Sequence, residues 1–263
     1  MSSDPPTYGF LGVGSIASAL VTGLCDGVAD PPEVVLSPRS AERAASLAGR
    51  FATVRVAAHN QAVVDGSDVV VLCLRPPDLE GALAGLRFRA DQAVISAVAG
   101  VDVATLASWV APAARVARSI PLPAVATREG VTPVHPADPA VTALFDRLGG
   151  TLAVDDEAAF DSLSAASATV AGYFRYLGAV AAWLADAGIP AADARRFVAG
   201  TFAALSGELR TPDPDFADLA RAHATPGGLN DQLARHLADA GVYDAVRDGL
   251  DAVRARLPAS GLA

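Results

Sequence analysis

Eight short runs of β-branched and apolar residues fall between Thr7 and Val154, and none follows. They are Thr7–Leu11, Glu33–Leu36, Val54–Ala57, Val69–Leu74, Ala93–Ala97, Arg115–Ser119, Val131–Val134 and Thr151–Val154. Helical stretches such as Ile16–Asp26, Ala41–Arg50 and Val103–Val110 separate them. Valine-rich strands alternating with helices predict a parallel sheet covered on both faces. Beyond Asp155 only helical patterns remain, over Glu157–Ala187, Ala191–Leu209, Asp215–Ala222, Leu229–Ala240 and Tyr243–Leu257. Their breaks fall at "AGIP", "TPDPD", "TPGG" and Gly241. The expected architecture is an α/β domain with a parallel sheet over residues 1–155 followed by an all-α domain over 156–263.

Composition narrows what such a chain can do. All 20 basic residues are arginine, because the sequence contains no lysine. That excludes a Schiff-base lysine, a lysine general base and a P-loop phosphate lysine. The net charge of −9 argues against nucleic acid as a partner. Cys25 and Cys73 form no CxxC pair and read as reduced core thiols, in keeping with a cytoplasmic setting. The start "MSSDPPT" has neither the charged nor the apolar region of a signal peptide. Leu163–Ala185 carries one charge, Arg175, yet its Ala, Gly, Ser and Thr content fits a helix buried in a bundle or dimer, not a membrane span.

The first run leads into Gly12-Val13-Gly14-Ser15-Ile16-Ala17, a GxGxxA pattern between a strand and a small-residue helix. Gly12 permits a tight turn, Gly14 lets backbone approach a pyrophosphate, and Ala17 allows close packing of helix on strand. The end of the second run then selects the dinucleotide. An NAD site places a carboxylate there for the ribose hydroxyls. Here stand Ser37, Pro38, Arg39 and Ser40, a cation and two hydroxyls suited to a 2′-phosphate. NADP(H) is therefore expected over NAD(H), with Glu42 and Arg43 a solvated helix pair. Arg75, before Pro76, sets a second cation at a carboxyl end of the sheet.

The segments "YGFLGVGSIA", "LSPRS", "HNQAVVDGSDVVVLCLRP", "VISAVAGVDVATL", "ARVARSIP" and "ATPGGLNDQLARHLADAGVYDAVRDGLDAV" occur in the order and spacing of pyrroline-5-carboxylate reductases, and the chain resembles that family over nearly its whole length. The resemblance implies reduction of a cyclic imine, pyrroline-5-carboxylate to proline or a related imine, by NAD(P)H. It also implies a Rossmann-like α/β N-terminal domain and helical C-terminal domains that intertwine into a homodimer or higher homo-oligomer. Cofactor contacts are implied at Gly12, Gly14, Ser15, Ile16, Ser37, Arg39, Asn60, Leu74, Arg75, Pro76 and Ala99, and substrate contacts around Thr225 to Asn230. The sequence departs from the family on the substrate side. "RSIPLPAV" keeps Arg118 and Pro121 without the family's Asn-Thr pair, "SAASATVAGY" replaces Ser-Gly-Ser-Gly-Pro-Ala-Tyr, and Leu229 and Asn230 follow the Pro-Gly-Gly.

The loop "HATPGGLN" suits a substrate carboxylate. Amides of Gly227, Gly228 and Leu229 precede a helix, and Thr225 and Asn230 add side-chain donors as the expected catalytic pair. Plain helix capping is the alternative for the same residues. Ser164, Ser167, Thr169 and Tyr173 are secondary candidates, with Tyr176 and Arg175 assigned to the dimer. His59, His135, His223 and His236 lack metal-ligand spacing, and no metal is expected. Two competing readings remain: a hydroxyacid dehydrogenase, a type that characteristically uses a lysine this chain lacks, and a non-catalytic NADP(H)-binding dimer that has lost the imine pocket.

Overall fold

The computed structural model describes residues 5–210 and 215–257, so most of the break read at "TPDPD" lies outside the described residues. Two compact units divide the chain, one of Met1–Ser164 with the segment from Arg254 and one of Ala165–Val253. In chain order the first unit runs β1 (Tyr8–Leu11), α1 (Ser15–Cys25), β2 (Val34–Leu36), α2 (Ala41–Arg50), β3 (Val54–Val56), α3 (Asn60–Asp65), β4 (Val69–Leu72) and α4 (Pro76–Leu83). It continues with β5 (Ala93–Ser96), α5 (Val103–Val110), β6 (Arg115–Ser119), β7 (Thr132–His135), α6 (Pro139–Asp146) and β8 (Thr151–Ala153). Helix α7 (Glu157–Ser167) follows, then α8 (Thr169–Asp186), α9 (Ala191–Leu205), α10 (Phe216–His223), α11 (Leu229–Asp239) and α12 (Val242–Arg254).

All eight expected strands form, in one sheet of order β3-β2-β1-β4-β5-β6-β7-β8. The expectation of a parallel sheet needs one correction. β6 and β7 pair antiparallel, with Arg118 opposite His135 and Ser119 opposite Val134. A loop with a short 3-10 turn, Pro123–Thr127, joins them in place of a crossover helix, so the chain returns in the opposite sense.

Alternation along the strands builds a core on each face. Tyr8, Phe10, Val34, Leu36, Val69 and Val71 point to one face, where they meet Ala17, Leu20 and Leu24 of α1 and Phe145 of α6. Leu11, Val35, Val70 and Leu72 point to the other, against Val63, Leu79 and Leu106 of α3, α4 and α5. Each fully buried Leu, Val or Phe contributes about 1.5–3 kcal/mol. Gly9 leaves room for α3 and the turn after it, since a Cβ there would lie 2.9 Å from Val63 Cγ1 and 2.3 Å from the Ser67 hydroxyl oxygen.

A buried ion-pair cluster ties β6 to α7. Arg118 is 2% exposed, yet its two Nη atoms lie 2.8 Å from Glu157 Oε1 and 2.8 Å from Asp161 Oδ1. Its guanidinium carbon sits 4.6 Å from the centre of the Phe160 ring. Glu157 Oε1 also accepts the Val103 N–H at 3.0 Å, joining the start of α5 to the same group.

The helical unit corrects two boundaries. The stretch read as one helix from Glu157 to Ala187 is two, parted at Ala168. There the Thr169 hydroxyl donates to the Ala166 carbonyl at 2.8 Å, competing with the backbone ladder. The stretch to Leu209 leaves α-helix at Leu205 and ends in a 3-10 turn, Glu208–Arg210. In the second unit, Tyr173 and Tyr176 of α8 pack edge-on against Phe202 of α9. Its surface exposes Phe174, Trp183, Phe197, Phe216 and Leu229, each more than 60%. No described helix is long and apolar enough to cross a membrane.

Candidate functional site

A cavity of about 340 Å³ opens at the carboxyl ends of β1, β2 and β4. This is the point where strand order reverses, because β2 lies on one side of β1 and β4 on the other. Three turns shape it. Gly12 leaves β1 with φ +92°, and a Cβ there would lie 2.5 Å from the Cys73 carbonyl oxygen, so the turn requires glycine. Its N–H donates to Ser37 Oγ at 2.9 Å. Ser37 is 1% exposed, so its hydroxyl ties the glycine turn to the end of β2.

Gly14 is the N-cap of α1, in extended conformation, and a Cβ there would meet nothing within 4 Å. The space beside its backbone is open. No side chain caps α1 and no acidic residue stands in its first turn. Its leading amides therefore present positive potential toward the cavity. Arg39 reaches the wall from the loop after β2, exposed and paired with no described residue. Open cradle, uncapped helix start and unengaged guanidinium together fit an anionic, phosphate-bearing ligand.

Of the twelve residues expected at a cofactor, the cavity gathers Gly12, Gly14, Ser37, Arg39, Ser40, Asn60, Leu74 and Arg75. The other four lie outside its lining. Ser15 is exposed at the first position of α1, Ile16 packs against the core, Pro76 opens α4, and Ala99 is exposed beyond β5. Val13, Cys73, Asp78 and Ala82 line the cavity without having been singled out for it. Cys25 is buried as expected, and Cys73 packs against the same core as expected while one side of the residue reaches the cavity wall. Burial pushes the Cys73 thiol up to about 12, so it stays protonated at neutral pH and is no nucleophile.

The second group of expected residues lies in the helical unit. Gly228 is the N-cap of α11, and its N–H donates to the Thr225 carbonyl at 2.8 Å. Gly227, with φ +74°, donates its N–H to Asp231 Oδ2 at 2.9 Å. The Asn230 side-chain amide donates to the His223 carbonyl at 2.8 Å, and His223 Nε2 lies 2.9 Å from Glu208. Thr225, Leu229 and Asn230 are exposed, Leu229 at 86%. Ser164, Ser167, Thr169 and Tyr173 fall on α7 and α8. Among the described residues no cluster of His, Cys, Asp or Glu could hold a metal ion.

Known proteins resemble both halves. Residues 7–100 match the family model "NADP oxidoreductase coenzyme F420-dependent", and residues 157–258 match "Pyrroline-5-carboxylate reductase dimerisation". The pyrroline-5-carboxylate reductase of Pseudomonas aeruginosa is 27% identical over 265 residues, covering 95% of each chain. The solved 1-pyrroline-5-carboxylate reductase of Streptococcus pyogenes superposes with a TM-score of 0.82 at 26% identity, covering 97% of this chain and 98% of that one. The Plasmodium falciparum pyrroline carboxylate reductase, solved with NADP bound, shares the fold at a TM-score of 0.83 and 17% identity, over 99% and 100% of the two chains.

Proposed function

We propose, for a chain that belongs to the pyrroline-5-carboxylate reductase family as a distant member, the NADPH-dependent reduction of a cyclic imine, with pyrroline-5-carboxylate the first candidate. The observation that carries this reading is the cavity at the strand-order reversal, with its glycine turn, open Gly14 backbone and unengaged Arg39. When bound, the reduced nicotinamide supplies the hydride.

The protein's part is to hold and orient. Amides of Gly14, Ser15 and Ile16 take the pyrophosphate, with Gly12 making the turn and Ser37 fixing it. Arg39 and Ser40 take the 2′-phosphate, and Asn60, Leu74, Arg75, Pro76 and Ala99 flank the dinucleotide. A cyclic imine is readily protonated near neutral pH, so a chain without lysine can run the reaction without a strong general acid. Thr225, Gly227, Gly228, Leu229 and Asn230 hold the substrate carboxylate and wall the ring. Leu229 and Asn230 make that wall more apolar and longer-reaching than the family pattern, which favours an imine differing from pyrroline-5-carboxylate in its substituents. The apolar side chains exposed on the helical unit are covered by a second copy in a homodimer.

A second reading, a non-catalytic NADP(H)-binding dimer, draws support from the loop itself, where the Gly227 N–H and the Asn230 amide are already engaged within the chain. One assay separates the two. Purified protein is incubated with NADPH and a panel of cyclic imines and 2-oxo acids while the absorbance of the reduced cofactor is followed. Oxidation of NADPH with pyrroline-5-carboxylate or another cyclic imine is expected. Turnover confined to 2-oxo acids, or NADPH binding without any turnover, contradicts the proposal.

A further inference from the structure

Three charged side chains line the dinucleotide cavity, and they are in different states. Arg39 is exposed and unengaged. Arg75, the N-cap residue of α4, forks onto one oxygen of Asp78 in the first turn of that helix, with Nε 2.9 Å and Nη2 2.8 Å from Oδ2. The side chain of Asp78 is 25% exposed and that of Arg75 79%. The carboxylate is thus the better shielded member, and the guanidinium is folded back along α4. The charged lining comprises two guanidinium groups and one carboxylate.

We infer that Asp78 sets the ratio of affinities for the phosphorylated and unphosphorylated dinucleotide, by holding Arg75 on α4 and by placing a negative charge in the cavity wall. This rests on the cofactor reading given above. The two dinucleotides share adenine, pyrophosphate and nicotinamide, so whatever those groups feel cancels in the ratio. Only the 2′-phosphate remains, carrying about −1.5 to −2 at neutral pH. A carboxylate in the wall opposes that charge directly and occupies a cation that would otherwise be available to it. The arrangement leaves Arg39 as the one lining cation not committed to a described partner. It also gives the cavity an acceptor for ribose hydroxyls, which the loop after β2 lacks. Asp78 therefore keeps NADH within reach of a site whose Arg39 favours NADPH.

A purely structural carboxylate predicts something else. Asp78 stands where a negative charge favours the start of α4, and loss of that contribution would alter both affinities alike. Calorimetric titration of wild-type protein and Asp78→Asn with NADPH and with NADH distinguishes the two. The asparagine keeps the shape and removes the charge. The NADPH-over-NADH affinity ratio is expected to rise about five-fold, a size typical of one charge–charge contact near a protein surface. In the Arg75→Met background the same substitution is expected to raise the ratio by less, because no guanidinium is released. An unchanged or lowered ratio in Asp78→Asn overturns the assignment, and an equal rise with and without Arg75 overturns the holding of Arg75. Failure of wild-type protein to bind NADPH would instead sink the cofactor reading on which the inference rests.

Discussion

Replacing Arg39 by alanine is expected to weaken NADPH binding about 30-fold while changing NADH binding by about two-fold or less. Hydrogen bonds between a guanidinium and a phosphate contribute about 1.5–3 kcal/mol, and every 1.4 kcal/mol is a factor of ten. Arg39 is exposed and engages no described residue, so its removal breaks nothing that holds the fold. The whole effect should appear on the ligand that carries the 2′-phosphate. Arg39→Lys should recover only part of the loss, since a point charge replaces a planar fork. Equal weakening of the two dinucleotides would contradict the placement of the 2′-phosphate at this residue.

The largest effect on stability is expected at Arg118. Arg118→Met keeps much of the volume and deletes the charge at a residue 2% exposed, between two carboxylates at 2.8 Å. Breaking a buried ion pair from one side costs about 3–5 kcal/mol. Glu157 and Asp161 are 33% and 20% exposed and can be partly hydrated, so the lower end, about 3 kcal/mol, applies. Thermal unfolding should then shift down by about 5–10 °C. Adding Glu157→Gln and Asp161→Asn to Arg118→Met should recover part of the shift, because no unpaired carboxylate then remains. A single variant as stable as wild type would contradict the clamp between β6 and α7.

The strands were legible because an unbroken run of β-branched and apolar residues reports burial on both faces of a sheet. Val34–Leu36 and Val69–Leu72 read as continuous apolar runs, and both faces of the sheet are indeed covered. Direction was not legible at β7, since an apolar run carries no mark of which way it pairs. The parting at Ala168 escaped because "SAASAT" contains neither Gly nor Pro, and a hydroxyl bonded back to the helix leaves no signature in hydropathy.

The site divides the same way. Gly12, Gly14 and Arg39 could be named from spacing, because a turn and a strand end fix where backbone and the next side chain go. Asp78 could not, because a carboxylate two residues past Pro76 reads as an ordinary first-turn charge until its partner is known to line a cavity. The partners of Arg118 lie 39 and 43 residues away, a distance that local pattern does not bridge.

In the function proposed, the first unit holds a phosphorylated dinucleotide in the cavity between the ends of β1, β2 and β4. The most direct test is calorimetric titration of the purified, unmodified protein with NADPH and, separately, with NADH. Saturable binding of NADPH at one site per chain, tighter than that of NADH, is expected. Absence of saturable binding for both would contradict it.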